Sequence, residues 1–457
     1  MFDAIHHFQV FEHERSTDKR NCIPYDKTSL SGPSAALDDL IHEYFVRSGL
    51  RELLPKKSPK TAITAEQRIK MHLRSLFWHF IMAKDIDDDC YVRMSLRECS
   101  YRKSETENPH NITRQISKVV SALGKNGFIQ RRNGFLDRTT GRTEQTRIRP
   151  SLTLLADLKT LPDDISETYV TPVAVSVRHG VPTNLDTASA MHMEAMERTI
   201  SAYNEFLRSH DIAIPFAVNG KVFFLDKEDE IRIARTTRKT LTAIYHADQP
   251  GMLTYGRIHG GWWQSIPSRF RRDILIDGEE TVELDYSAQV PHIVAGLAGI
   301  QLIGDPYTLP LEIPFISAET KREVVKAVVV VALNASDRKS LLRGVRGKIH
   351  DLPWEIRSGL NLTDKSLEPI IDAVLEALPY LEPYVLKGQG KQLFMHDAEI
   401  ARQIIQRFLD QGKVVLSIHD GFVAKKSDEH FLRETMHSVW LEMFRTTIPI
   451  KTETKNT

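Results

Sequence analysis

Cysteine is scarce in this chain of 457 residues: Cys22, Cys90 and Cys99 are scattered and form no Cys-x-x-Cys pair. That pattern argues against a disulfide framework or a zinc centre and points to reduced thiols in a cytoplasmic protein. Long apolar runs are missing too; none approaches the roughly 20 residues of a membrane span. The N-terminus shows no basic segment followed by an apolar core, so neither membrane nor export is expected. Repeats and low-complexity tracts are absent, which sets aside solenoids and arrays. Net charge is nearly absent as well: 61 basic against 60 acidic residues leave +1, so any nucleic-acid footprint must come from local clustering.

What is present is the composition of a globular protein, 41% hydrophobic and 26% charged, in a chain long enough for two or three domains. Residues 1–60 mix polar, Pro and charged residues and end in Pro55-Lys-Lys-Ser-Pro-Lys, which reads as an arm. Apolar positions from Thr64 to Ile86 recur at helical spacing. A second helix is predicted over Asn111–Asn126, with Ile112, Ile116, Val119, Val120 and Leu123 on one face, Arg114, Gln115 and Lys118 on the other, and Gly127 as its stop. Phe128-Ile-Gln-Arg131-Arg132, a turn at Asn133-Gly134, and the segments from Arg138 and Thr146 read as a hairpin with a basic tip. Residues 102–149 carry eleven Arg or Lys against four acids, a local surplus of seven. Helix, glycine stop and basic hairpin together outline a winged helix over 61–160, with Arg114, Lys118, Arg131 and Arg132 as candidate DNA contacts; the bland alternative is a solvated charged face. Residues 161–250 read as a helical connector, with a helix over Ala188–His210 and an Asn-Gly hairpin at 217–225.

Chemistry concentrates in 251–457. Thr281-Val-Glu-Leu-Asp285-Tyr286-Ser is a β-branched strand that ends on a carboxylate, and Val414-Val-Leu-Ser-Ile-His419-Asp420 repeats that grammar. Two such strands can bring their aspartates to one sheet edge. Phosphoryl transfer to a hydroxyl needs two Mg²⁺ ions about 4 Å apart. Paired carboxylates supply the hard oxygen ligands that Mg²⁺ (or Mn²⁺ in its place) prefers. Arg322 and Lys326, one helical turn apart, would face the same phosphates. Taken singly, each signal has a bland reading: an Asp at a strand end is often a turn former, and an Arg/Lys pair is usually solvated.

In this order the motifs resemble the family-A DNA polymerases and the related single-subunit bacteriophage RNA polymerases, over roughly residues 251–447. Gly256-Arg257, Gln264-Ser-Ile-Pro267 and Arg271 or Arg272 are similar to the elements that precede the family's first catalytic motif. Asp285-Tyr286-Ser287 resembles that motif, Arg322-x-x-x-Lys326 the fingers helix, and His419-Asp420 the last motif. The resemblance implies an α+β chain: a palm with an antiparallel sheet, a helical fingers insertion near 311–385 and a reduced thumb, behind the winged-helix-like module. It further implies Asp285 and Asp420 as catalytic metal ligands for two Mg²⁺ ions. Arg322, Lys326, Asn334 and Tyr286 would lie at the nucleoside triphosphate, and Arg257, Gln264, Arg271 and His419 at a DNA template and primer.

The chain departs from the family at two places. Val330, Asn334 and Ala335 stand where relatives carry an aromatic residue and then Tyr-Gly, and Val290 stands where DNA polymerases carry the Glu that excludes the ribose 2′-hydroxyl. The second departure points toward ribonucleotides. The run Ala327-Val-Val-Val-Val-Ala-Leu favours a strand by propensity, although the Arg322/Lys326 spacing needs a helix. His396-Asp-Ala-Glu399 reads as capping at the start of a helix over Ala398–Leu409, or as a substrate-side helix. In the pair Trp262-Trp263 one ring is expected in the core and the other could stack a base. No separate set of acids for a proofreading nuclease is evident. The expected function is template-directed nucleotidyl transfer by a polymerase or primase-like enzyme, in replication of DNA or of a mobile element. Two rivals are template-independent terminal addition and a DNA-binding initiator with an inactive palm.

Overall fold

A computed structural model describes residues 22–25, 35–55, 64–84, 89–96, 112–136, 143–161, 174–178, 184–225, 231–249, 251–310 and 317–453. The chain forms two compact units, Met1–Pro172 with Phe216–Arg238, and Val173–Pro215 with Lys239–Thr457. Residues 161–250, read in the sequence as a connector, are thus shared between both.

The first unit packs helices Ala35–Arg47, Ala65–Lys84, Ile116–Lys125 and Leu152–Lys159 with a four-stranded sheet in the order 22–24, 91–94, 146–150, 129–132. Ile112, Ile116, Val119, Val120 and Leu123 are all fully buried in one cluster with Leu73, Leu76 and Phe77. The second helix starts five residues later than its apolar spacing predicts. Its entry is held instead by buried His72, whose Nε2 accepts from the Thr113 amide at 3.0 Å, and burial lowers His72 to about 4, keeping the ring neutral. Its end has paired backbone bonds, Phe128 N to Leu123 O and Gly127 N to Gly124 O, with Gly127 at φ +74°. This is the left-handed glycine stop expected from the sequence. Strands 129–132 and 146–150 pair antiparallel, and 135–136 pairs with 143–144 beyond them. Arg102, Lys103, Arg138 and Arg142 lie outside the described residues. Asn219-Gly220 forms a two-residue turn with both φ positive, but the strand after it, Lys221–Leu225, takes Ile231–Arg235 as its partner.

The second unit contains, in chain order, β1 (Val175–Arg178), α1 (Thr187–Arg208), β2 (Ile212–Ala213), β3 (Thr242–Gln249), β4 (Met252–His259), α2 (Ser268–Arg271), β5 (Leu275–Ile276), β6 (Glu279–Tyr286) and α3 (Gln289–Leu297). There follow α4 (Ala318–Asn334), α5 (Arg338–His350), α6 (Trp354–Arg357), α7 (Asp364–Ala377), α8 (Gly390–Asp410), β7 (Val415–Ile418), β8 (Gly421–Lys425), α9 (Glu429–Phe444) and β9 (Ile450–Thr452). The main sheet has the order β7-β8-β6-β5-β2, with β9 also on β6, and every pairing is antiparallel. A second sheet runs β4-β3-β1. Mixed helices and antiparallel sheet make the chain α+β. No described helix is long and apolar enough to cross a membrane.

The valine run lies within α4, against its β propensity. Val324, Val325, Val328 and Val329 are buried, and Val331 packs where a Cβ on Gly344 of α5 would stand only 2.6 Å away. Tertiary burial outweighs a propensity of a few tenths of a kcal/mol per residue. A polar anchor joins α1 to the main sheet: the fully buried Tyr203 hydroxyl donates to Val415 O and accepts from Val415 N, both at 2.7 Å. Tyr203→Phe leaves both backbone groups unpaired and is expected to lower the unfolding free energy by about 2 kcal/mol in urea titration.

Candidate active site

The central strand β6 alternates by the period of two. Leu284 and Tyr286 face the core, where the Tyr286 hydroxyl donates to Met436 O at 2.6 Å and its ring lies 5.3 Å from Trp440. Glu283 and Asp285 therefore share the other face. Tyr286, expected at the nucleotide, is instead a buried part of the core, because a residue next to Asp285 on a strand must point the opposite way.

Asp285 sits opposite Gly421 in the β6–β8 register, and a Cβ on Gly421 would collide with the Asp285 carboxylate. The two-residue loop His419-Asp420 links β7 to β8, with His419 at φ +54° and the Asp420 carbonyl accepting from Tyr286 N at 3.1 Å. A left-handed first residue is what such a short loop asks for, and a non-glycine there stores strain. The two sequence-predicted aspartates therefore stand on adjacent strand ends. Asp285 is pushed up from 3.8 to about 7, chiefly by burial and then by the charges of Asp420, Glu283 and Glu453, with Arg271 acting in the opposite direction. Among the described residues no group of three or more His, Cys, Asp or Glu is arranged as a metal site. The two carboxylates on neighbouring strand ends nonetheless suit Mg²⁺, which takes few protein ligands and fills its shell with water and phosphate oxygen. A cation there would offset both the burial of the Asp285 charge and the repulsion from Asp420.

The residues upstream of β6 turn inward. Gln264 Nε2 donates to Ile258 O at 3.1 Å and to Ser417 O at 2.9 Å, while its Oε1 accepts from Gly260 N. Trp263 Nε1 donates to the same Ser417 carbonyl at 3.2 Å. Gln264 thus holds the strand that delivers Asp420, where the sequence suggested a nucleic-acid contact; both hydrogens of its amide are already engaged. Both Trp262 and Trp263 are buried, so neither offers a free face. Arg271 forms a forked pair with buried Glu283, Nη2 to Oε1 at 2.6 Å and Nε to Oε1 at 3.0 Å. It therefore neutralises the acid beside Asp285.

Arg257 leaves β4 after Tyr255 and Gly256, both at positive φ. A Cβ on Gly256 would press within 3.1–3.2 Å of Ala398, Met395 and Tyr245, so the glycine lets β4 lie close on α8. Arg257 Nε donates to Asp397 at 2.6 Å, and its guanidinium lies 4.0 Å from the Phe394 ring centroid. Asp397, fully buried, is raised to about 6 by burial, with Arg257 opposing and Asp420 adding to the rise. Residues 396–399 lie inside α8, which begins at Gly390, so they are not caps: Asp397 pairs with Arg257, and Glu399 binds Arg402 and Gln403. His419 packs edge-on to His259 at 5.8 Å, and burial lowers the pKa of both.

Arg322 and Lys326 share one face of α4. Arg322 Nε donates to Asp305 at 2.7 Å, and its guanidinium lies 5.5 Å from the buried Tyr307 ring. The Tyr307 hydroxyl is raised by burial first and then by Tyr380, with the Arg322 charge opposing and the charges of Asp305 and Asp420 adding to the rise. Lys326 is half exposed, with Glu323 at 4.0 Å. Asn334 lies twelve residues from Arg322 on the same helix, about 18 Å along it. Its side chain donates to Val330 O and fills the space above Gly390, so the structure does not gather it with the pair. In the first unit, Arg114, Lys118, Arg131 and Arg132 are exposed. Adjacent Arg131 and Arg132 leave opposite strand faces, and Arg132 covers the Tyr91 ring at 4.9 Å. Sequence reading missed Glu283, Asp305 and Tyr307, and took Asp397 with its neighbours as capping or as a substrate-side helix. The available signals were the position of Glu283 two residues before Asp285 and the Asp305-Pro-Tyr turn ahead of the fingers helix.

No family model matches the chain, and no curated protein matches it. Among solved structures it aligns with the POL domain of Pol1 from M. smegmatis in complex with DNA primer-template and dNTP, at 11% identity and a TM-score of 0.27. The alignment covers 93% of this chain and 66% of that chain, just under two thirds of its length. A likeness at that level leaves the functional reading to the site itself.

The raised Asp285 value has a signed consequence. Its folded value lies above the ordinary 3.8, so at this carboxyl the metal-free folded state holds a proton more tightly than the unfolded chain, and its contribution to stability falls as pH rises from about 4 through about 7. Asp285→Asn should remove that slope and gain about 1–3 kcal/mol over the parent at pH 8, measured by denaturant melts in EDTA. Mg²⁺ at pH 8 should then raise the melting temperature of the parent and leave Asp285→Asn unmoved. Equal pH slopes in the two proteins would show that Asp285 is not raised in the folded state.

Proposed function

We propose that the chain is a template-directed nucleotidyltransferase, a polymerase or primase-like enzyme acting on DNA with nucleoside triphosphates and divalent metal. The observation that carries this reading is the convergence of Asp285 and Asp420 on adjacent antiparallel strand ends, close enough for one charge to raise the other. Asp285 and Asp420 would hold the Mg²⁺ ions. When bound, these supply charge neutralisation at the attacking and leaving oxygens.

The protein's own groups do the rest. Arg271 neutralises Glu283, which leaves Asp285 and Asp420 for the metal. Gln264 and Trp263 fix β7, and with it the register of Asp420. Arg322, steadied by Asp305 and the Tyr307 ring, and Lys326, which has greater freedom, would bind the triphosphate oxygens. Arg257, held flat on Phe394 by Asp397, and His419 would lie at the primer terminus. In the first unit, Arg114, Lys118 and Arg131 would contact the DNA backbone. Val290 in place of a carboxylate favours acceptance of ribonucleotides.

The test is extension of a labelled primer-template and of a bare single strand with Mg²⁺, offering NTPs and dNTPs separately. Asp285→Ala or Asp420→Ala should abolish product by at least about a thousandfold, and Arg322→Ala should weaken nucleotide use by about tenfold or more. Homopolymer on a mixed template would replace this reading with terminal addition. Absence of product in every combination, with duplex binding intact, would replace it with an initiator whose palm is inactive.

A further inference from the structure

Helix α5 carries five Arg or Lys and one His in thirteen residues and no acid. Its buried side is Leu341, Leu342, Val345 and Ile349. At 100° per residue, Lys339, Arg343 and His350 fall within a narrow stripe on the opposite, exposed side. Arg338 and Arg346 are engaged by Asp372 and Asp364. Among the described residues Lys339 and Arg343 have no carboxylate within 4.0 Å. From Lys339 to His350 the stripe runs about 16 Å, enough to follow two or three phosphates of an extended strand.

Beyond its end stands Trp354, first residue of α6 and 66% exposed. The other four tryptophans of the chain, Trp78, Trp262, Trp263 and Trp440, are at most 4% exposed. Leaving one large ring in water forgoes burial free energy, and an exposed Trp four residues after a helix with a basic stripe is the composition of a base-stacking platform. Arg357, whose buried Nε has no partner, lies 5.6 Å from the Trp354 ring centroid. Helix α6 is tied to the first turn of α4, where the Thr320 hydroxyl donates to Ile356 O at 3.0 Å. The platform therefore lies at the end of α4 that carries Arg322.

We propose that Lys339, Arg343 and His350, with Trp354 as stacking ring, form a binding track for single-stranded nucleic acid, occupied by template strand that has not yet reached the carboxylate pair. Naming the strand as template rests on the polymerase reading; the binding itself does not. A strand without sequence preference is the occupant that both halves of the track fit, because phosphates meet the stripe and any base offers a face to the ring.

The experiment titrates the full chain with a short oligothymidylate, reading tryptophan fluorescence and, with a labelled strand, anisotropy. Because Trp354 is the exposed ring, the strand should quench emission in the parent, and Trp354→Phe should abolish the quench. Trp354→Ala should weaken binding about tenfold. Lys339→Ala with Arg343→Ala should lower the slope of log affinity against log salt by about 1.4, which is about 0.7 for each phosphate that is no longer neutralised. The catalytically silent Asp285→Asn should bind and quench like the parent, so failure of extension and failure of this track are separable. Quenching that survives in Trp354→Phe would overturn the proposal. So would an unchanged salt slope in the double variant, or equal quenching by a duplex of matched length.

Discussion

Like charges held together at the edge of an antiparallel sheet set the terms for the rest of the second unit. Asp285 cannot avoid Asp420, because the β6–β8 register places it opposite Gly421 and the two-residue loop places Asp420 immediately before that glycine. Only a residue without a side chain fits there. The cost of such a cluster falls on folding, and it is met from the reverse side of the same strands, where Leu284, Tyr286, Phe422 and Trp440 are buried. A strand has two faces with opposite requirements, and β6 uses one for cohesion and the other for charge.

Around the cluster lies a layer of polar side chains that are engaged within the protein. Arg271 is engaged by Glu283, Gln264 by backbone carbonyls, and Arg257 by Asp397. An unpaired carboxylate at the depth of Glu283 or Asp397 would destabilise the fold by several kcal/mol, so the arginines are as much structural as electrostatic. Their fixed positions also give the site a rigid frame.

Local features were legible in the sequence to the extent that they depend on local physics. The amphipathic face of helix 116–125, its glycine stop, the Asn-Gly turn and the two strands ending in aspartate all follow from periodicity and backbone conformational preference. Where the reading missed, distant partners decided. Helix 116–125 began late because His72 holds its entry. Helix α8 begins six residues before His396, at Gly390, which lies against the Asn334 side chain. Both tryptophans of the 262–263 pair are buried, with Trp263 donating to Ser417 O of β7.

By itself the sequence determined which residues could carry the chemistry: two aspartates at strand ends, a cationic pair one helical turn apart, and a basic helix and hairpin. Those patterns are set by periods of two and 3.6 residues and need no knowledge of neighbours. Only the tertiary structure decided which charges remain free. Arg271 finds Glu283 twelve residues away and Arg257 finds Asp397 at a distance of 140 residues along the chain. Pairing of buried charges depends on proximity in space, to which sequence separation is no guide.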